Sequence, residues 1–195
     1  MHIIFYGPEG SGKGTQARLL AQKLNLAHIQ SGDLVRDAAK NDSGLIGEAA
    51  RNALATGKYV PDSEMYVLWK NRLKQEDAKK GWIIDGFPRN LRQAKFLFNK
   101  VDKYGYKVDK VIYIKILEEE SLKRLKMRNR EQFAGSGKSH DDPELVKSRL
   151  QEFGKGQKDL LDYLREKGVL EEVNGERSVE EVHKDILSRL SRNKD

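Results

Sequence analysis

Apolar and polar positions follow two rhythms along the chain, and the changes from one to the other mark its elements. Short runs rich in β-branched and aromatic residues, at His2–Tyr6, Ala27–Ile29, Trp82–Asp85, Val111–Ile116 and Val169–Val173, read as strands. Between them apolar residues recur every three or four positions, the period of a helix with one buried face. That period covers Gly14–Leu24, Gly32–Lys40, Gly44–Thr56, Ser63–Gln75, Leu91–Tyr104, Glu119–Arg130, Pro143–Lys167 and Val179–Arg192. Ser178 and Glu181 have capping-box spacing, and Asp142-Pro143 reads as an N-cap followed by proline at the first helical position. Apolar strands separated by helices imply a five-stranded parallel sheet with helices on both faces, an α/β three-layer sandwich. Two segments break the alternation and read as lids: the paired helices between strands two and three, and the polar stretch 129–142.

Composition narrows the class. The 195 residues, 37% of them hydrophobic, suffice for one core, so 1–195 reads as a single domain. The sequence holds no cysteine, which excludes disulfides and thiolate metal sites and fits a reducing cytoplasm. The chain passes from Met1 straight into a strand, and no apolar run approaches the ~20 residues needed to span a bilayer. A net charge of +7 would suit nucleic acid, but no zinc finger, RNP motif or basic arm accompanies it. Neither a nucleic acid nor a membrane is expected as a partner. A surplus of Arg and Lys equally suits phosphorylated small molecules, and the positions of the arginines decide between the two.

Gly7-Pro8-Glu9-Gly10-Ser11-Gly12-Lys13-Gly14-Thr15-Gln16 lies between the first strand and the first helix. A glycine-rich turn there lets successive N–H groups converge on an anion at the positive end of the helix, and Lys13 adds a full charge. This is a phosphate-binding loop, so the sandwich is expected to be of the P-loop NTPase-like kind. The third strand ends in Asp85 and continues Gly86-Phe87-Pro88-Arg89. A strand-end carboxylate opposite such a loop faces nucleotide-borne Mg²⁺ through water. Arg89, just beyond the strand's carboxyl end, offers a fork for a phosphate.

Together with Ser31-Gly32-Asp33-Leu34-Val35-Arg36 and Gly57-Lys58-Tyr59-Val60-Pro61, these motifs are colinear with those of nucleoside monophosphate kinases over essentially the whole chain. The sequence is most similar to the adenylate kinase family, in its short-lid form. The resemblance implies transfer of a phosphoryl group from MgATP to AMP, giving two ADP, by a cytoplasmic monomer. It implies that Gly10, Ser11, Gly12, Lys13, Gly14 and Thr15 cradle the triphosphate. Ser31, Arg36, Lys58, Tyr59, Val60, Gly86, Phe87, Pro88, Arg89 and Gln93 would hold the acceptor monophosphate. Arg124 and Arg128 match arginines near the ATP base and phosphates, Lys138 and Arg149 match two that clamp the transferred group, and the segment around Arg177 matches backbone contacts to the ATP base. The catalytic set is then Lys13, Arg89, Arg124, Arg128, Lys138 and Arg149, with segments 31–60 and 129–142 as acceptor lid and ATP lid. The second lid has no cysteine with which to hold zinc.

The chain also departs from the family pattern. Glu9 brings a carboxylate to the phosphate loop and is expected to point to solvent. Lys138 stands in place of an arginine and clamps less specifically than a fork. Ser31 replaces threonine, and Asn90 resembles the UMP/CMP kinases, whereas Gln93 matches the glutamine that reads the adenine edge. AMP is the favoured acceptor, with a pyrimidine or broad-specificity kinase as the alternative and a non-catalytic nucleotide-binding module as the reading from another class. No histidine is placed in the chemistry: His2, His28, His140 and His183 read as structural or surface residues.

Overall fold

The computed structural model describes residues 1–128 and 142–191. Strand β1 (His2–Tyr6) leads into helix α1 (Lys13–Leu24), and β2 (Ala27–Gln30) into α2 (Ser31–Asn41), α3 (Leu45–Thr56), α4 (Asp62–Arg72) and the single turn α5 (Glu76–Lys79). Then β3 (Trp82–Asp85) leads into α6 (Leu91–Lys103), β4 (Lys110–Lys115) into α7 (Glu118–Arg128), α8 (Pro143–Gly154) and α9 (Gln157–Glu166), and β5 (Leu170–Asn174) into α10 (Val179–Ser191). The strands form one sheet in the order β2-β3-β1-β4-β5, parallel throughout.

Strand geometry explains the two-sided core. Successive side chains point to opposite faces, so Ile3, Phe5, Ile83, Ile112 and Ile114 pack with Ala17, Leu20, Val182 and Ile186 under α1 and α10. Their neighbours Ile4, Tyr6, Trp82, Ile84, Val111 and Tyr113 pack on the other face with Trp69, Leu97, Leu160 and Leu164 from α4, α6 and α9. Burial on both faces is why these strands read as unbroken apolar runs.

The expected caps are present. Ser178 N–H donates to Glu181 Oε2 at 3.0 Å, while Glu181 N–H donates to Ser178 Oγ at 3.2 Å. Asp142 Oδ1 accepts from Glu144 and Leu145 N–H at 3.0 and 3.3 Å. The expected single helix Pro143–Lys167 is divided, because Lys155 is extended and Gly156 takes a φ of 70°. The two halves serve different neighbours: Val146 and Leu150 of α8 pack on Leu125 of α7, whereas Leu160, Leu161 and Leu164 join the main core. The helix expected over Ser63–Gln75 ends at Arg72, and α5 follows as a separate turn. Helices α2 and α3 pack chiefly on each other, beside the sheet rather than on it.

Candidate active site

The strand order places β1 between β3 and β4, so the chain turns one way after β1 and the other way later. Open α/β sheets bind ligands at the carboxyl ends around such a switch point. Here the loop after β1 faces the ends of β2 and β3 across a cleft of about 1390 Å³, above the ~300–1,000 Å³ that holds one drug-sized ligand.

The phosphate loop turns tightly, with Ser11 N–H donating to the Pro8 carbonyl at 3.2 Å. It is pinned from behind by α7, where the buried Ser121 hydroxyl donates to the Glu9 carbonyl. Lys13 curls over the loop and donates from Nζ to the Pro8 carbonyl at 3.1 Å. Burial holds its ammonium below the usual lysine range, against the attraction of Asp85 and Glu9. Gly14 lets the end of β3 approach, since a Cβ there would stand 2.9 Å from Asp85 Oδ2. Asp85 is 8% exposed, and its Oδ1 is buried without a hydrogen-bond partner. An open carboxylate oxygen beside the loop suits the water shell of Mg²⁺. Among the described residues no three His, Cys, Asp or Glu side chains gather into a metal cage.

The side of the cleft at the ends of β2 and β3 is organised around one carbonyl. Gly86 O accepts from Ser31 Oγ and from Arg89 Nε, each at 2.9 Å. Gly86 takes a φ of 83°, and a Cβ there would run into the Ser31 hydroxyl, so no other residue type fits without strain. The Arg89 guanidinium carbon lies 3.7 Å from the centroid of the Tyr59 ring. Phe87, 1% exposed, stacks on Trp69 at 4.9 Å and anchors the turn that carries Arg89. Arg36, Lys58, Val60 and Pro88 line the same cleft.

Gln93 is 5% exposed and bonded at both ends of its amide. Its Oε1 accepts from Arg89 N–H at 2.7 Å and its Nε2 donates to Asp62 Oδ1 at 2.7 Å. Asn90 caps α6, accepting from Gln93 N–H at 2.8 Å, and its Nδ2 donates to Asp62 Oδ2 at 3.4 Å. Asp62 was not singled out from the sequence, where it is only the residue after Val60-Pro61. In the fold it orients both amides on the cleft wall.

Glu9 corrects the sequence reading. Its carboxylate turns inward rather than to solvent, and Oε1 accepts from Arg149 Nε at 2.9 Å and from the Tyr59 hydroxyl at 3.3 Å. The reason lies in the cations around it. Burial disfavours its charge, but Arg149, Lys13 and Arg89 together hold the carboxyl below the usual carboxylate range. The same environment raises the Tyr59 phenol, through burial foremost, so Tyr59 is the donor in that pair.

Arg124, Arg128 and Arg149 all line the cleft, the first in an ion pair with Glu120 at 2.7 Å. Ser11 is buried beneath the loop rather than on the cleft wall. Arg177 stands apart, 2.6 Å from Asp185 of α10. Lys138, His140 and all of the 129–142 segment except Asp142 lie outside the described residues. Of the other histidines, His2 packs on Trp82 and Tyr106, His28 lies in β2, and His183 Nδ1 is 3.1 Å from Gln16 Oε1.

A family model described as adenylate kinase matches residues 5–169, most of the chain. The chain belongs to the adenylate kinase family. It is 37% identical over 188 residues to adenylate kinase 1 of Nostoc sp., covering 96% of this chain and 97% of that protein. It is 35% identical over 188 residues to an adenylate kinase of Leptospira biflexa, covering 96% and 98%. A Staphylococcus aureus adenylate kinase is 35% identical over 213 aligned positions, covering 97% and 99%. As a member of the adenylate kinase family the chain is a nucleotide-dependent phosphotransferase.

Proposed function

We propose that the cleft transfers the terminal phosphoryl group of MgATP directly to the phosphate of AMP, giving two ADP. The observation that carries this reading is the convergence of Lys13 of α1, Arg89 of the β3–α6 turn and Arg149 of α8 on one volume large enough for two nucleotides. In the transfer an oxygen of the AMP phosphate bonds to the γ-phosphorus while the β–γ bridge oxygen leaves with the donor as ADP. The attacking oxygen is already an anion, so no general base is needed, and catalysis reduces to positioning and charge stabilisation.

On this reading the loop Gly10–Thr15, with Arg124 and Arg128, receives the ATP phosphates, and the segment around Arg177 meets the base. Arg36 and Arg89 receive the acceptor phosphate, and Arg149 with Lys138 clamps the group in flight. Asp85, through water, would hold Mg²⁺ arriving with ATP, and the ion would supply charge neutralisation on the phosphates. Segments 31–60 and 129–142 act as acceptor lid and ATP lid, which exclude water so that the γ-phosphoryl does not pass to it. The reading includes a monomer in the cytoplasm, and no described helix is long and apolar enough to cross a membrane.

The test is ADP formation from MgATP with AMP, CMP, UMP, GMP or dTMP, beside a control without acceptor. Rapid turnover with AMP alone is expected. Comparable rates with CMP or UMP would overturn the assignment of AMP, and the absence of acceptor-dependent turnover would overturn the enzyme itself.

A further inference from the structure

The phosphate loop carries its own anion. Glu9 is 20% exposed, and one carboxylate oxygen is bonded to Arg149 of α8 and to Tyr59 of the 31–60 segment. The other oxygen, Oε2, is buried with no hydrogen-bond partner. Lys13 and Arg89 both contribute attraction to this charge. The carboxylate thus sits among the cations assigned above to the phosphates, and a carboxylate and a phosphoryl group call for the same donors. As a purely structural strut the pair is incomplete, because Oε2 lies buried without a hydrogen bond although the surrounding cations favour the charge. A temporary occupant carries no such contradiction, since its orphaned oxygen becomes solvated once it leaves.

Resting on the reading of the cleft as a phosphoryl-transfer site, we propose that Glu9 occupies the transfer centre of the nucleotide-free protein and that incoming polyphosphate must displace it. Until then the carboxylate ties the acceptor segment through Tyr59, and α8 through Arg149, to the donor loop. Displacement hands Arg149 to the phosphates and releases Tyr59, so donor binding and freedom of the acceptor segment are coupled through one side chain.

The test uses inorganic tripolyphosphate, which has neither base nor ribose, titrated calorimetrically into metal-free full-length protein. Glu9→Gln keeps the side-chain shape without the charge and should bind at least ten-fold more tightly than wild type; Glu9→Ala should do the same, guarding against a misfolded glutamine variant. In steady state Glu9→Gln should lower the KM for ATP, a change that loss of a strut would not produce. In wild type labelled with ¹³C at glutamate carboxyls, the Glu9 resonance should shift on saturation. Wild-type binding that neither substitution tightens, or a Glu9 resonance unmoved at saturation, overturns the proposal alone. Failure of wild type and both variants to bind overturns it together with the phosphate-loop reading.

Discussion

Replacing Arg89 separates charge from geometry at the proposed acceptor-phosphate position. Two contacts fix the guanidinium before any substrate arrives, Nε to the Gly86 carbonyl at 2.9 Å and the stack on Tyr59 at 3.7 Å, while Gln93 holds the backbone N–H at 2.7 Å. Lysine keeps the charge but loses both guanidinium contacts. A hydrogen bond from a charged group contributes ~1.5–3 kcal/mol and a desolvated cation–π contact up to about 2 kcal/mol, and the two are not additive. Loss of about 2–3 kcal/mol of positioning corresponds to a fall of roughly 30- to 150-fold in kcat for Arg89→Lys. Arg89→Ala removes the charge as well and should cost roughly 10²–10⁴-fold, or about 3–5 kcal/mol. Coupled spectrophotometric assay of ADP formation at saturating substrate measures both variants, with circular dichroism as the control for folding. Arg89→Lys within three-fold of wild type would refute the geometric argument, and Arg89→Ala at near-wild-type turnover would remove Arg89 from the mechanism.

Three further outcomes follow from packing and charge. Trp69 is fully buried against Phe87, so Trp69→Ala should destabilise by about 3–5 kcal/mol in urea unfolding, and a loss below about 1 kcal/mol would contradict the packing described. Gly14→Ala drives a Cβ towards Asp85 Oδ2, so kcat should fall while the thermal midpoint moves little; unchanged kinetics and Mg²⁺ dependence would argue against Asp85 as the metal-facing group. Glu172 bonds Arg165 and Lys115, and chiefly through Arg165 its carboxyl is held below the ordinary 4.5. Its stabilisation is therefore present above that ordinary value and disappears as pH falls through the lower folded value. Glu172→Gln should lower the melting temperature slightly at neutral pH and not at all in strong acid, and a difference that grows on acidification would reverse the sign argued here.

Much of the fold is legible in the sequence because both sheet faces are covered. Ile3 to Tyr6 and Trp82 to Ile84 must then be apolar without alternation, while helices such as α6 show a single buried face. The division between α8 and α9 is not legible from periodicity, because Val146, Leu150, Leu160 and Leu164 continue in phase through it. Only Gly154 and Gly156 mark the place, and the cause is the different neighbour each half meets. The loop and strand-end motifs are legible because phosphate chemistry needs particular residue types at fixed spacing. Glu9 is not, since its direction is decided by Arg149, 140 positions away, and by Tyr59. The commitment of Gln93 to Asp62 and Arg89 is likewise tertiary.

The central claim is direct transfer between two nucleotides in one cleft. Time-resolved ³¹P NMR of the protein with MgATP and AMP tests it most directly. Direct transfer requires the γ-phosphate signal of ATP and the AMP signal to decay together into ADP resonances, with no inorganic phosphate, and no decay of ATP when AMP is omitted. Release of inorganic phosphate, or loss of ATP at the same rate without AMP, would contradict it.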